Sequence, residues 1–526
     1  RSSIQTGSST SAGEGFTIST DASDNVYVGG WFQDSISFDT YVFNYGHGVF
    51  LTKYDSIGNL QWAKCGASLG TNQGVASGVT TDSIGNSYLT GWFNGSIVFD
   101  SDTLVSITPN DLFVAKYNSS GNLIWAKSMG SNAIFYPTIG ITLDRMENIY
   151  LTSCFTSQFI FGTDTLIASG AGANYFVAKC DSSGNALWAR SATHTCGGSQ
   201  SLSVAADASA SIYISGTFGN TSCSMMVGSD TLVSLGLYNI FIAKYDSSGN
   251  ALWAKSAGGT GYDKAFFITA DTIGNVYATG TFSSASIAFG SSTITNTSGN
   301  SDGFLAKYDS SGNALWAKSI GGSNLISYCV ASDKQNKIYV CGGSFQPTDT
   351  VVTFDTLTVY YPGGTIDPFF VAGYDSSGQI LFAKILASGS DDQNAITVSA
   401  SGSIYVTSDY YQVNPFIIGN DTLILNGEEN VFVAKLSYSI HEGVSEINSM
   451  NGYVLYPNPF SNSLFVKTND NVQTEVILYD ILSRKLLQQT FMGSTTLNVE
   501  QLASGLYIYE VRNKKGILAN GKVIKQ

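Results

Sequence analysis

Asp246-Ser-Ser-Gly-Asn-Ala-Leu-Trp-Ala-Lys255, with Phe241-Ile-Ala-Lys244 just ahead of it, is the stretch on which the fold turns. It reads as a β-hairpin. Asp at the first position of a type I turn accepts backbone N–H bonds, and the Gly after it takes the left-handed conformation the loop needs. Its first half recurs as Phe50-Leu-Thr-Lys53, Phe113-Val-Ala-Lys116, Phe176-Val-Ala-Lys179, Phe304-Leu-Ala-Lys307, Phe370-Val-Ala-Gly373 and Phe432-Val-Ala-Lys435. That makes seven copies, with successive Lys or Gly positions 62 to 66 residues apart. Such a period carrying strand patterns points to an array or a propeller.

Working outward, each copy parses into four strands. Residues 74–82 form a strand of small residues, and Asn86-Ser-Tyr-Leu-Thr-Gly-Trp-Phe93 follows after a turn. A variable segment with an Asp-Thr-Leu turn comes next, as in Ile97-Val-Phe-Asp-Ser-Asp-Thr-Leu104, and the hairpin closes the unit. Four strands, seven copies and a small-residue first strand predict a seven-bladed β-propeller, whose innermost strands must fit a taper. Trp62, Trp125, Trp188, Trp253 and Trp316, with Phe382 in the sixth copy, read as packing between blades. Lys64, Lys127, Arg190, Lys255, Lys318 and Lys384 read as charge guarding an outer edge. The seventh copy lacks its Trp-Ala-Lys strand, and Arg1-Ser2 resembles the tail of one (compare Arg190-Ser191), so the N-terminal residues are expected to complete that blade.

Composition supports an exported all-β chain. With 56 Gly, 29 Tyr, 30 Phe and only 12% charged residues, it is turn-rich and strand-rich. The formal charge of −14 excludes a general nucleic-acid binder. Residues 453–526 hold eight basic and five acidic side chains, net +3, which leaves −17 on residues 1–452 and marks a domain boundary near 450. No apolar run is long enough to span a membrane. The start at Arg1, without Met or signal peptide, reads as a mature form or a fragment.

The units resemble SBBP-type β-propeller repeats, whose pattern joins a G-N-x-Y strand to a later F-x-A-K-x-D-x-x-G-N-x-x-W hairpin. The resemblance covers roughly residues 10–436, with departures at Gly373 and Phe382 in the sixth copy and Cys180 in the third. It implies a propeller on a secreted or surface protein and no particular activity. Residues 437–452 read as a polar linker. Beyond it, Tyr456-Pro-Asn-Pro459, Val476-Ile-Leu-Tyr-Asp480, Leu497-Asn-Val499, Gly505-Leu-Tyr-Ile-Tyr-Glu-Val511 and Gly521-Lys-Val-Ile-Lys525 read as short strands of a small Ig-like β-sandwich. These residues resemble the type A C-terminal sorting domain of the type IX secretion system, with Tyr456, Pro457, Asn458, Pro459, Gly505, Tyr507, Gly521 and Lys522 carrying the match. The resemblance implies export by a Bacteroidota-type bacterium, handling by the type IX machinery, and release or attachment at the cell surface. The organisation is thus a propeller over 1–436, a linker over 437–452 and a sorting domain over 453–526.

Chemistry is sparse. His47 and His194 belong to no recognisable catalytic or metal arrangement. Each Asp turn offers a single carboxylate, so no calcium loop, metal or cofactor is expected. Seven cysteines show no metal-ligand spacing, and Cys329 and Cys341, flanking a predicted hairpin turn, are a candidate disulfide. Asp-Ser/Thr followed by Ile, Leu or Val resembles an O-glycosylation sequon of such bacteria, with acceptors Ser35, Ser56, Ser83, Thr103, Thr165, Thr231, Thr272, Thr350, Thr356 and Thr422. Turn chemistry alone also explains those pairs. The irregular residues sit just before each first strand, where a propeller opens into its central channel: Glu14, Gln73, Tyr136, Gln200, Tyr262, Asp263, Asp391 and Asp392. They are the candidate ligand surface. The expected role is non-enzymatic binding or adhesion outside the cell, directed at a glycan or surface protein. A secreted polysaccharide hydrolase or lyase and a structural unit of an extracellular assembly are the alternatives.

Overall fold

The computed structural model describes the chain except for residues 1, 10–11, 71–72, 109, 134–138, 171, 196–197, 220–222, 345–350, 361–367, 389–393, 412–415, 419–420, 424–428, 437–452, 457–459, 461, 469–471, 483, 515 and 526. Every regular element among the described residues is a β-strand. The chain divides into two compact units, Arg1–Ser437 and Tyr438–Gln526.

The first unit repeats one antiparallel pattern. Asp263–Ala270, Val276–Phe282, Asp302–Tyr308 and Ala314–Gly321 pair in sequence order to make a representative four-stranded sheet. Sheets of the same order begin at Ala12–Thr20, Gly74–Thr81, Gly140–Leu143, Gly198–Ala206, Leu325–Ser332 and Ala395–Val398. The last is completed from the other end of the chain, because Ser2–Ser9 pairs with Glu429–Leu436. The register differs from that suggested by Arg1-Ser2. Val433 and Phe432 face Ile4 and Gln5, the places that Arg190 and Ser191 take opposite Val177 and Phe176. The strand therefore sits three residues further along than side-chain likeness implied.

Neighbouring sheets are latched by one repeated device. Lys244 Nζ and Trp253 Nε1 both donate to the carbonyl of Ser310 in the next sheet's hairpin turn, at 3.0 and 3.1 Å. Lys53 and Trp62 do the same to Ser119, Lys179 and Trp188 to Ser247, and Lys307 and Trp316 to Ser376. The turn glycine is fixed twice over. Gly249 has φ +84°, and a Cβ there would lie 2.9 Å from the Trp188 ring. The recurrent Trp is thus packing between sheets, as its spacing predicted.

The outer strand is less of a free edge than its lysines suggested. Hairpins from the variable segments pair with it, Gly66 against Phe99 and Ile320 against Phe354. Lys64 and Lys318 meet Asp100 and Asp355 of those hairpins at 3.2 and 2.8 Å.

The second unit packs a sheet of Tyr453–Tyr456, Ser463–Thr468 and Ser494–Asn498 with one of Lys485–Phe491, Thr474–Tyr479, Gly505–Asn513 and Gly516–Lys525. Leu464 and Val466 from one sheet and Val476, Leu478, Val511 and Val523 from the other share a buried core.

Candidate functional site

Five of the first strands break register at one place. The pairing skips from Gly15 to Thr17, Ala76 to Gly78, Ser201 to Ser203, Ala265 to Phe267 and Ser327 to Cys329. Each skip is a β-bulge, which leaves one residue unpaired and re-aims its side chain. The bulged residues Phe16, Ser77, Phe266 and Tyr328 all line a single cavity of about 370 Å³, to which the first strand of every sheet in this unit contributes.

The wall is mostly apolar. Phe16, Phe266, Phe267 and Tyr328 are its aromatic members, and the Phe266 and Tyr328 rings lie 5.9 Å apart. Gln200, Ser203, Thr217 and Asn394 are among its polar ones, and Lys264 is its single charged residue. Several hydroxyls beside it serve the frame. Thr17 Oγ1 accepts the Val79 N–H at 2.9 Å, Ser77 Oγ that of Ile139 at 2.9 Å, and Ser203 Oγ that of Ile268 at 3.2 Å. These bonds tie neighbouring first strands together around the cavity.

Among the expected site residues, Gln200 lines this cavity. Tyr136, Asp391 and Asp392 lie outside the described residues. Asp263 is fully buried: Oδ1 accepts from the Ser283 and Ser284 N–H groups, and Oδ2 from Gly259 N and Ser284 Oγ, both at 2.7 Å. Its carboxylate holds its own loop. Tyr262 is exposed and its ring lies 5.6 Å from that of Tyr238. Gln73 is exposed and its N–H donates to Asn94 Oδ1, while Glu14 is half-buried opposite Trp31. Sequence reasoning passed over Phe16, Phe266, Phe267, Tyr328, Thr217 and Lys264. The signal was present: large aromatics stand in first strands that other copies fill with Gly, Ser and Ala.

The Asp turns are self-contained. Asp246 Oδ1 accepts the Ser248 and Asn250 N–H groups at 2.9 Å, and Oδ2 accepts Asn250 Nδ2 at 2.8 Å. Desolvation raises the Asp246 pKa, but those bonds outweigh it and hold the carboxyl below its ordinary value. Among the described residues no three His, Cys, Asp or Glu side chains gather at metal-ligand distance.

The expected Cys329–Cys341 disulfide is not formed. The two residues do face each other across the strands, but both are free thiols. Each is turned to a carbonyl of the next sheet, Cys329 Sγ to Ile396 at 3.7 Å and Cys341 Sγ to Asn394 at 3.6 Å. The disulfide lies elsewhere, at Cys223, whose partner is outside the described residues.

Of the glycosylation candidates, Ser83, Thr103, Thr165, Thr231, Thr272 and Thr356 are exposed, and Ser35 and Ser56 are half-buried. Thr350 lies outside the described residues, and Thr422 is described only as part of the strand Asp421–Leu423. In three of these pairs the Asp has a local task, since Asp102, Asp164 and Asp230 accept the N–H groups of Ala126, Ala189 and Ala254.

In the second unit, Tyr456 is in a strand, Tyr507 is buried with its hydroxyl on the Ala503 carbonyl at 2.6 Å, and Gly521 and Lys522 pair with Tyr509 and Ile508. Gly505 opens the strand that carries Tyr507, whereas Pro457, Asn458 and Pro459 are outside the described residues. Residues 454–526 match the secretion system C-terminal sorting domain family. The C-terminal unit is a type IX sorting domain. A sorting domain of this kind indicates a secreted or cell-surface protein. An uncharacterised WD repeat-containing protein of Acanthamoeba polyphaga mimivirus is 25% identical over 420 residues, covering 65% of this chain and 29% of that protein. The chain thus spans less than a third of that relative's length. Among solved structures, a PL25 ulvan lyase is 9% identical, covering 80% of this chain and 97% of its own at a TM-score of 0.36. A dihydro-heme d1 dehydrogenase is 10% identical, covering 74% and 73% at 0.29. Neither carries an argument about this chain.

Proposed function

We propose that residues 1–436 form a seven-bladed β-propeller of the SBBP type, acting outside the cell as a binding and adhesion module directed at glycans. In this reading an Ig-like sorting domain of a Bacteroidota-type bacterium delivers it through the type IX machinery. The repeated sheets, their common cavity and the Lys435 bond to the first sheet support the closed ring. Exposed Thr103, Thr165 and Thr231 on the outer hairpins are its candidate O-glycosylation sites.

The observation that carries binding is the set of aromatic rings on the cavity wall. Inner strands favour small residues, so Phe16, Phe266, Phe267 and Tyr328 depart from what packing near an axis requires. Aromatic faces with a few polar groups between them are the usual lining of a small-molecule site, and such faces suit the apolar faces of sugar rings.

A glycan-array screen of the full chain beside Tyr328→Ala and Phe266→Ala tests this. Binding by the native chain that both variants lose, with thermal stability largely kept, is the expected outcome. Array binding that survives both substitutions places the ligand elsewhere, and an array silent for the native chain rejects the glycan reading.

A further inference from the structure

We propose that the cavity takes an anionic sugar, with the Lys264 ammonium meeting the acidic group and Thr217 meeting a ring hydroxyl; this rests on the cavity being the binding site. Two independent observations carry it.

The first is a cation without a counter-charge. Other lysines of this unit have structural tasks: Lys53, Lys179 and Lys244 each lie 3.8 to 4.0 Å from an Asp and donate to a turn carbonyl. Lys264 belongs to no such set. Among the described residues no carboxylate lies within 4.0 Å of it, and its ammonium sits 5.8 Å from the Tyr238 ring centre. In the register of the bulged strands, its place is taken elsewhere by Glu14, Val75, Gln200 and Ile326. A half-buried ammonium on an apolar wall is costly unless something anionic meets it.

The second is an orphaned hydroxyl. Thr217 lines the cavity, is only 5% exposed, and its Oγ1 has no hydrogen-bond partner. A buried polar atom left so calls for a partner. Thr217 is paired across the strands with Gln200, which also lines the cavity, so a hydroxyl and an amide stand side by side. Oxygen-rich recognition beside an ammonium and aromatic faces fits an anionic pyranose better than a fatty or aryl acid. At about 370 Å³ the cavity falls within the range of small-molecule sites, roughly 300–1,000 Å³.

The test is calorimetric titration of the full chain with uronate disaccharides, sulfated disaccharides and their neutral counterparts, the uronates reduced to the alcohol and the sulfates removed. Benzoate serves as an acid without hydroxyls. The expected result is binding of one anionic class at least ~10-fold tighter than its neutral counterpart, weakened by salt. Lys264→Gln should remove that preference and leave neutral binding unchanged. Thr217→Val should weaken both by about 5- to 10-fold while thermal stability holds or rises, since an unsatisfied hydroxyl is lost. A merely structural threonine would show the reverse. Equal binding of anionic and neutral sugars overturns the anionic assignment but leaves a glycan site standing. Benzoate binding as tightly as the sugars overturns the sugar assignment, and no binding by any sugar rejects the glycan reading itself.

Discussion

The Lys435 ammonium donates to the carbonyl oxygen of Ser56, 3.0 Å away across 379 residues of sequence. The Tyr405 hydroxyl donates to the same oxygen at 3.3 Å. This is the bond that Lys244 makes to Ser310, so the last sheet is tied to the first by the device that joins neighbours. Tyr405 takes the acceptor that Trp253 shares in the other case.

Loss of that bond should loosen the whole first unit. Lys435→Met is expected to lower its stability by about 1–3 kcal/mol, the usual worth of a hydrogen bond to a charged group. Lys244→Met should cost more, roughly 3–5 kcal/mol, because it also strands the buried Asp207 carboxylate 4.0 Å away. All seven Trp residues lie between positions 31 and 316, so urea unfolding followed by Trp fluorescence reports this unit alone. Equal midpoints for Lys435→Met and the native chain would show that the contact is not stabilising.

One seam lacks the latch, and the reason is legible in the chain path. Gly373 and Phe382 stand where other copies have Lys and Trp. The next sheet ends its third strand at Leu436 and takes its fourth from Ser2–Ser9, so it has no hairpin turn and offers no serine carbonyl there. The donors and their acceptor are missing together. Phe382 fills the vacated space, and a Cβ at Gly373 would come 2.4 Å from its ring. Gly373→Ala should therefore destabilise by about 1–3 kcal/mol through overpacking. Hydrogen exchange should reach Ala395–Val398 before Asp263–Ala270, since the unlatched neighbour opens first. Uniform exchange across the two strands would count against the seam.

How much of this was readable in the sequence follows from what repetition records. The hairpin Phe241 to Lys255 was legible because seven copies average out local noise and leave only what the turn and the Trp contact demand. The cavity was not. Its aromatic residues were visible as letters, but a bulge moves a side chain by one position without changing the strand pattern, so Phe266 and Tyr328 read as ordinary alternation. Asp263 misled for the opposite reason. An acidic residue at a loop end looks available until its loop closes around it with Gly259, Ser283 and Ser284. The cysteine pair likewise had the right register and the wrong inference, because facing strands bring thiols together without joining them.

His194 gives a pH dependence. It is buried, and desolvation lowers its pKa to about 4, below the ordinary 6.5. Ser199 Oγ accepts the Tyr175 N–H, which leaves its own proton for His194 Nε2 at 2.8 Å. In the unfolded chain the imidazole takes up a proton near its ordinary pKa, whereas the folded state resists until about 4. The unfolded state thus binds more protons in that window, so this contribution is whole above about 6.5 and falls away as pH drops toward 4. Urea midpoints by Trp fluorescence at pH 7.5 and 5 should differ in that direction. The slope should shrink in His194→Gln, and an unchanged slope there would assign the acid sensitivity to other groups.

Lys525 extends the same reasoning to the sorting domain. It is buried, and its ammonium donates to the carbonyls of Val499 and Glu500 at 2.6 and 2.8 Å. Its backbone bridges Phe460, one of the residues in the shared core of the two sheets. A cation there joins the last strand to the segment after Ser494–Asn498 and satisfies two carbonyls at once. Lys525→Met keeps the aliphatic stem and removes both bonds, which should cost about 1–3 kcal/mol in this unit. The two compact units separate the consequences. Trp-detected stability of residues 1–437 should stay the same, while the amount of protein recovered outside the cell falls. Normal export of Lys525→Met with its sorting unit shown to be destabilised would mean that recognition tolerates a loosened fold. A lowered Trp-detected midpoint would instead mean that the two units do not fold independently.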